Sequence, residues 1–571
     1  MLKIPFSIPV ISFRFRAIDI AILLFIIGVL SLIVFVASGW RYEMQPAVEI
    51  NLDPSNIPLY TANSVVRIVI AYALSLMFSV WYGYTANRSK IHEKIMIPLL
   101  DVLQSIPVLS FLPGVVLAMV AVFPGRRIGV ELASIILIFT GQVWNMAFSY
   151  YNSINTMPKE LTEVAKVFRL SRFTRFLRLD MPFSAIGLVW NSMMSVAGGW
   201  FFLMACEMFV MKDRDFRLPG LGSYIQTAAN NGDMPHILYG IGTMVAVIIL
   251  LDFMVWRPVV AWSQKFRFDT VQAEDEKESL VLDMMRKSRF VKHIGDFLSR
   301  RLKDIETLYQ RIENRPEYKT IAVVRKGMTI IFGIVALSVM SWALIKAMKL
   351  FLDISTAEHL TVITSAFTSL LRTSVAIIIA ALWTVPLGVY IGLNPKASKI
   401  LQPVVQVIAS VPATAVFPVV LLFLIKLGGG LAIGSVFLML LGTQWYILFN
   451  VIAGASAIPQ DLRETATLYG LKGIRKWKVL ILPGIFPYLI TGMITATGGA
   501  WNASIVSEYV TFGGEVMKTR GLGSLISEST VSGNFGLLLL STVVMAIVVV
   551  SINRLLWKRL FALAQEKYRL D

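Results

Sequence analysis

The sequence predicts an all-α membrane protein of about twelve transmembrane helices, built as two parallel six-helix repeats with a charged cytoplasmic linker. Three observations predict it. Of 571 residues, 56% are hydrophobic and only 15% are charged, where a soluble domain carries about 25% charged residues. Apolar stretches of the ~20 residues needed to cross a bilayer recur along the chain. Finally, the chain repeats itself: residues of the first half recur in the same order in the second, at offsets of 305 and then 301 positions.

The first unit covers 1–262, with spans expected at 17–38, 60–86, 97–123, 128–152, 183–211 and 234–262. The first run follows Lys3, Arg14 and Arg16. It is too long for the core of a signal peptide and reads as an uncleaved span. A charged linker, 263–326, follows. In it Ile294, Leu298, Leu302, Ile305, Leu308 and Ile312 recur at three- and four-residue steps, the pattern of an amphipathic helix. The linker reads as a solvated tether or as a regulatory contact. The second unit covers 327–571, with spans expected at 327–349, 361–393, 401–426, 430–453, 484–512 and 534–557.

The net charge of +18 would suit a polyanionic partner. Its distribution argues otherwise. Most Lys and Arg fall at the two chain ends and in the loops that the spans place on one side, including 87–94, 156–181 and 264–326. That is the positive-inside pattern, which puts both termini in the cytoplasm. Arg126-Arg127 and Lys212, Arg214 and Arg217 fall on the opposite side; Asp213 and Asp215 soften the second case only, so Arg126 and Arg127 remain the misfit. A single cysteine, Cys206, excludes an intramolecular disulfide and a Cys-based metal site, and reads as a small apolar filler. The four His do not cluster, and no nucleophile–base spacing or other enzyme signature stands out.

The repeat is sharpest in polar motifs. Ser64-x-x-Arg67 matches Ser369-x-x-Arg372, and Gly83 matches Gly388. Ser105-Ile-Pro107 matches Ser410-Val-Pro412, and Glu207 matches Glu508. Gly220-Leu-Gly222 matches Gly521-Leu-Gly523. Between these lies a polar, basic stretch, Glu464 to Pro483. Asp461 precedes Glu464 at the spacing of a capping box. Gly470 stands where a helix stops in the left-handed conformation, and Pro483 opens the next apolar run. The same frame occurs at Glu163 to Pro182, with Arg169 in place of Gly470.

These paired stretches resemble the EAA loops of ABC-importer permeases. With the flanking Ser-x-x-Arg, Ser-Ile/Val-Pro and Glu…Gly-Leu-Gly motifs, each half resembles one permease unit of the nitrate/sulfonate/taurine type of binding-protein-dependent system. The resemblance implies a type I importer permease fold, fused from two units, in the cytoplasmic (inner) membrane. It implies that loops 158–182 and 459–483 are coupling helices, with Glu163, Ala165, Arg169, Glu464, Ala466 and Gly470 contacting ATPase subunits. The small residues Ala165, Thr465 and Ala466 would then allow close approach. Arg169 predicts that the first helix ends differently or runs longer than the second. The implied partners are two ABC ATPases and a periplasmic or lipid-anchored binding protein. The implied substrate is a small, often anionic solute. No Gly-x-x-x-x-Gly-Lys-Ser/Thr occurs in the chain, so ATP and magnesium are expected on the ATPase partner, with no cofactor on this chain.

Two pairs of ionisable residues that match between the halves fall inside spans. Arg67, Arg372, Glu207 and Glu508 stand roughly 6–10 Å below the outer boundary by helical rise. They read as a gate or vestibule in which Arg and Glu pair, or, for the Arg residues, as side chains snorkelling to headgroups. The Gly-Leu-Gly stretches allow either a loop that dips back or a turn. Asn191, Ser192, Ser195, Thr495, Thr497, Asn502 and Ser504 could bind substrate or bond between helices. An ion-coupled secondary transporter of major-facilitator-like 6+6 architecture is the alternative. It would want a deep carboxylate or His, and a Gly-Asp-Arg loop where Asn87-Arg88-Ser89-Lys90 stands.

Overall fold

The computed structural model describes residues 48–211, 214–266, 280–313, 354–426 and 430–567, with scattered positions in 20–36 and 334–351. The spans expected at 17–38 and 327–349, and both flanks of the linker, lie outside the described residues apart from those positions. The first half runs α1 (Ile57–Ala86), α2 (Lys90–Ser105), α3 (Leu112–Val122), α4 (Ile128–Asn155), α5 (Lys159–Val167) and α6 (Met181–Glu207). A hairpin of β1 (Val210–Met211) and β2 (Arg214–Asp215) follows, then α7 (Leu221–Asn230) and α8 (Met234–Leu251). The linker holds α9 (Arg289–Glu313).

The second half repeats this order: α10 (Thr356–Leu393), α11 (Pro395–Ser410), α12 (Ala413–Lys426), α13 (Gly430–Ser456), α14 (Gln460–Leu468) and α15 (Leu482–Ser507). Then come β3 (Tyr509–Phe512), β4 (Glu515–Lys518), α16 (Leu522–Ser532) and α17 (Phe535–Ile552). The two hairpins depart from an otherwise all-α fold. Gly513 and Gly514 both take positive φ, 59° and 78°, as a tight two-residue turn between right-twisted strands requires.

Among the described residues, eight helices are long and apolar enough to cross a membrane. The spans expected as single helices at 97–123 and 401–426 are a correction. The first is a pair, Lys90–Ser105 and Val108–Val122, bent by 83°. Proline is the cause. Pro107 pushes Ile106 out of the helical region, to φ −78° and ψ 125°. Pro412 does the same to Val411, at φ −72° and ψ 119°, so α11 stops at Ser410. The matched Ser-Ile/Val-Pro motif is thus a built-in break in both halves.

The chain forms two compact units. One includes 156–189 and 251–333, and therefore α5 and α9. The other includes 40–155, 190–250 and 334–571. In this second unit α1 packs along α4, α10 along α13, and α13 along α15. Small residues set the approach. A Cβ at Gly83 would stand 3.2 Å from the Ala147 carbonyl, and one at Gly388 would stand 3.3 Å from that of Leu448. Close backbone approach is how helices associate where lipid removes the hydrophobic drive. The two halves are tied within this unit. Asn553 donates to Ser105 Oγ at 2.8 Å, Lys558 pairs with Asp101 at 2.8 Å, and Leu109 N–H donates to Asn502 Oδ1 at 3.3 Å.

Candidate functional site

The duplicated polar motifs converge on one construction. Glu207, the last residue of α6, has no exposure. Its carboxylate accepts from Ser64 Oγ at 2.7 Å, from Arg67 Nη1 at 2.7 Å and from the Gly222 N–H at 2.7 Å. Ser64 Oγ in turn accepts from the Leu221 N–H at 3.0 Å. The first N–H groups of a helix have no partner within it and carry its positive dipole end. Here α1 and α6 supply those partners, so the start of α7 is latched to two spans. Gly220 is extended, a conformation open to any residue. It is glycine for space, since a Cβ there would fall on the Glu207 carboxylate.

The second half builds the same latch. Ser369 Oγ donates to Glu508 at 2.7 Å, Arg372 Nη1 pairs with Glu508 at 3.1 Å, and the Gly523 N–H donates to Glu508 at 2.9 Å. Leu522 N–H donates to Ser369 Oγ at 2.8 Å. Arg and Glu, expected to approach either within a half or across the pseudo-twofold, pair within each half. The latches differ in one residue that sequence reading missed. Glu131 on α4, with no exposure, holds Arg67 in a two-pronged pair at 2.6 and 2.8 Å. At the matched position stands Ala432. Both arginines also donate to the carbonyl before the Gly-Leu-Gly stretch, Arg67 to Pro219 at 3.1 Å and Arg372 to Arg520 at 2.6 Å. In place of a second carboxylate, Arg372 Nη2 donates to Thr519 Oγ1 at 2.8 Å, and its side chain keeps 14% exposure. The available signal was Glu131 itself, a carboxylate in an apolar run four residues after Arg127. Arg127 pairs with it at 3.4 Å, which explains one of the two basic residues that broke the charge pattern.

Arg67, Glu207 and Glu508 are wholly buried, so in this conformation they brace helix starts. They neither line an open vestibule nor reach toward headgroups. Most of the hydroxyls expected to face substrate bond to their own helices. Thr495, Thr497 and Ser504 donate to the carbonyls of Thr491, Met493 and Trp501. Ser192 donates to Met146 Sδ, and Asn502 joins the two halves. Ser195 is buried with no hydrogen-bond partner for its hydroxyl among the described residues, and Asn191 lies one residue ahead of Ser192 on α6. Cys206 is buried, as expected of a filler.

The other expected site is the pair of short helices α5 and α14. Each has nine residues, and their ends match position for position. Gly470 takes φ 65° after α14. Its N–H donates to the Thr467 carbonyl, and the Leu471 N–H donates to that of Ala466 at 2.9 Å. This double bond pattern is the Schellman stop. The expectation that Arg169 would change the first helix is overturned. Arg169 takes φ 48°, the one non-glycine positive φ among the described residues, and Leu170 N–H donates to the Ala165 carbonyl at 3.0 Å. The expected capping box is also absent. Pro459 is the N-cap and Asp461 lies inside the first turn, while Glu464 accepts from Gln460 Nε2 at 2.8 Å.

Ala165 and Ala466 are each 4% exposed, so they face the chain's own body, contrary to the expected partner-facing role. Beside exposed charged and polar side chains, α5 and α14 each present an apolar C-terminal end outward. Val167 and Phe168 are exposed at the end of the first helix, and Leu468 and Tyr469 at the end of the second, with Glu163 and Glu464 exposed alongside. Exposed bulky apolar groups at a helix end are the kind of patch from which interaction surfaces are built.

Comparison with known proteins agrees with the duplication. The family described as binding-protein-dependent transport system inner membrane component matches twice, at residues 71–255 and 384–561. Among similar proteins, the Nitrate import permease protein NrtB of Leptolyngbya laminosa is 28% identical over 187 residues, 33% of this chain and 63% of that protein. The Taurine transport system permease protein TauC of Escherichia coli is 27% identical over 179 residues, 31% of this chain and 59% of that protein. The Bicarbonate transport system permease protein CmpB of Synechococcus elongatus is 28% identical over 145 residues, covering 25% and 51%. The chain therefore spans less than two thirds of the length of each of these relatives. Because the two family matches together cover more than half of its residues, this chain belongs to the binding-protein-dependent transport system inner membrane component family, with two copies of that domain in one polypeptide.

Proposed function

We propose that this chain is the permease of an ATP-driven ABC importer, with two permease units fused. It moves a small, often anionic solute, handed over by a binding protein, into the cytoplasm. The observation that carries this reading is the doubled family domain, in which each copy holds the same nine-residue helix with an exposed apolar end. In this reading two ATPase subunits dock at 163–171 and 464–472, and ATP and magnesium bind there rather than on this chain. Closure of the ATPases drives α5 and α14 together and opens the pathway outward. The Arg67–Glu207 and Arg372–Glu508 latches keep α7 and α16 fixed to their spans while other helices move. Relatives named for nitrate, taurine and bicarbonate support a small solute that carries an anionic group as the substrate class.

The test is uptake into proteoliposomes holding the chain, its ATPase and its binding protein, with labelled nitrate, bicarbonate or taurine. Uptake should require ATP inside and the binding protein outside. Because α5 and α14 end alike, Glu163→Lys and Glu464→Lys should both impair it. Removing one partner of a charge-assisted hydrogen bond at such an interface costs roughly 2–5 kcal/mol, more than tenfold in docking. Uptake driven by an ion gradient without ATP would overturn the reading.

A further inference from the structure

Among the described residues, most of helix α9 is exposed. At 3.6 residues per turn, Phe297, Leu298, Leu302, Ile305 and Leu308 share one arc, and all five are exposed. Within Arg289–Glu313 there are six Lys or Arg against four Asp or Glu. One of those acids is already engaged. Glu306, 9% exposed, accepts from Arg178 Nη2 at 2.8 Å. Arg178 sits in the π-turn Phe176–Asp180, directly before Met181, where α6 begins. The middle of α9 is therefore pinned beside the end of a membrane-spanning helix.

Two further features match a membrane surface. Arg301 falls within the apolar arc, and its guanidinium lies 5.3 Å from the Phe297 ring centre. A long basic side chain laid over an aromatic ring can keep its stem apolar and its charge at the lipid headgroups. In the same unit, Lys265 lies 4.5 Å from the Trp262 ring and 4.7 Å from that of Phe266, at the end of another span. Trp and basic residues together mark the interface region of a bilayer.

We propose that α9 is an interfacial anchor. Its apolar arc lies in the bilayer surface beside the start of the α6 span, and its Lys and Arg side chains meet anionic lipid headgroups. A helix of strong amphipathicity and low overall hydrophobicity with basic flanks lies in this plane, and anionic lipid attracts such segments. The linker is then a fixed strut against the membrane, pinned to the base of the span through Arg178. This inference concerns the linker and the bilayer alone and is independent of which partner drives transport.

The test uses the full chain in nanodiscs of phosphatidylglycerol and phosphatidylcholine. Spin labels are placed singly at Leu298→Cys, Leu302→Cys and Ile305→Cys, and at Arg300→Cys, Lys303→Cys and Thr307→Cys. All six sites are on the exposed helix, and Cys206 is buried. Accessibility to oxygen, which collects in lipid, is compared with accessibility to a water-soluble nickel chelate. Positions 298, 302 and 305 should favour oxygen several-fold more than 300, 303 and 307, and the contrast should weaken in phosphatidylcholine alone. Equal nickel accessibility on both faces overturns the proposal in favour of a solvated tether. Protection of the apolar face from both reagents overturns it in favour of a protein partner. An unchanged contrast without anionic lipid removes the headgroup part.

Discussion

Arg169 shows how a single residue can obey the fold against its own preference. A left-handed residue with a side chain costs about 1–2 kcal/mol, and glycine avoids that cost. The first short helix nevertheless stops as the second does, so the surrounding structure imposes the stop. Arg169→Gly should then leave uptake intact and slow local opening of α5, read as increased amide-exchange protection at Phe168–Ser171. Conversely, Gly470→Asn should be tolerated, while Gly470→Val, β-branched at positive φ, should lower ATPase retention. Normal retention by the Val variant would remove the stop from the account. Glycine acts differently in the latches. Gly220→Ala and Gly521→Ala place a methyl on a buried carboxylate, and overpacking of this kind costs about 1–3 kcal/mol. Both variants should melt lower in detergent, while Gly232→Ala, where nothing stands within 4 Å of the added carbon, should suffer only from its positive φ.

Among elements, the two latches are alike in plan and unequal in charge. Arg67→Ala would leave Glu207 buried without a cation and Glu131 with only the longer Arg127 contact at 3.4 Å, and breaking a buried pair costs about 3–5 kcal/mol. Arg372→Ala would leave Glu508 alone, still held by Ser369 and the N–H groups of α16. Thermal melting in detergent should therefore fall further for Arg67→Ala, and Glu131→Gln should lower it too. An equal fall for Arg67→Ala and Arg372→Ala would contradict the role given to Glu131. The inequality was hard to read from sequence because Glu131 has no repeat partner, and attention to matched residues passes over it. The broken spans were legible in principle. Each Ser-Ile/Val-Pro carries the X-Pro rule on its face, but the apolar run continues through it and hydropathy alone joins the pieces.

For the whole molecule, composition, spacing and the repeat were enough to read a doubled α-helical membrane protein, the resemblance of the paired motifs supplied the permease family, and the element order bears out the repeat. What the sequence concealed were directions of side chains. Ala165 and Ala466 turn inward, and the Arg–Glu pairs close on helix starts, because burial is decided by packing partners far along the chain. The parallel repeat carries its own expectation. Cysteines placed at Lys166 and Arg475 should both be shielded from an impermeant thiol reagent in intact cells, and labelling of only one would sink the shared orientation. The central claim is that two ATPases grip one fused permease. Native mass spectrometry of the tagged chain, purified from its own cells under mild detergent, tests it most directly. The account predicts one copy of this chain with two P-loop ATPase subunits, both lost when Phe168 and Tyr469 are replaced by Asp. A chain that flies without an ATPase, or whose ATPase remains after both replacements, would contradict it.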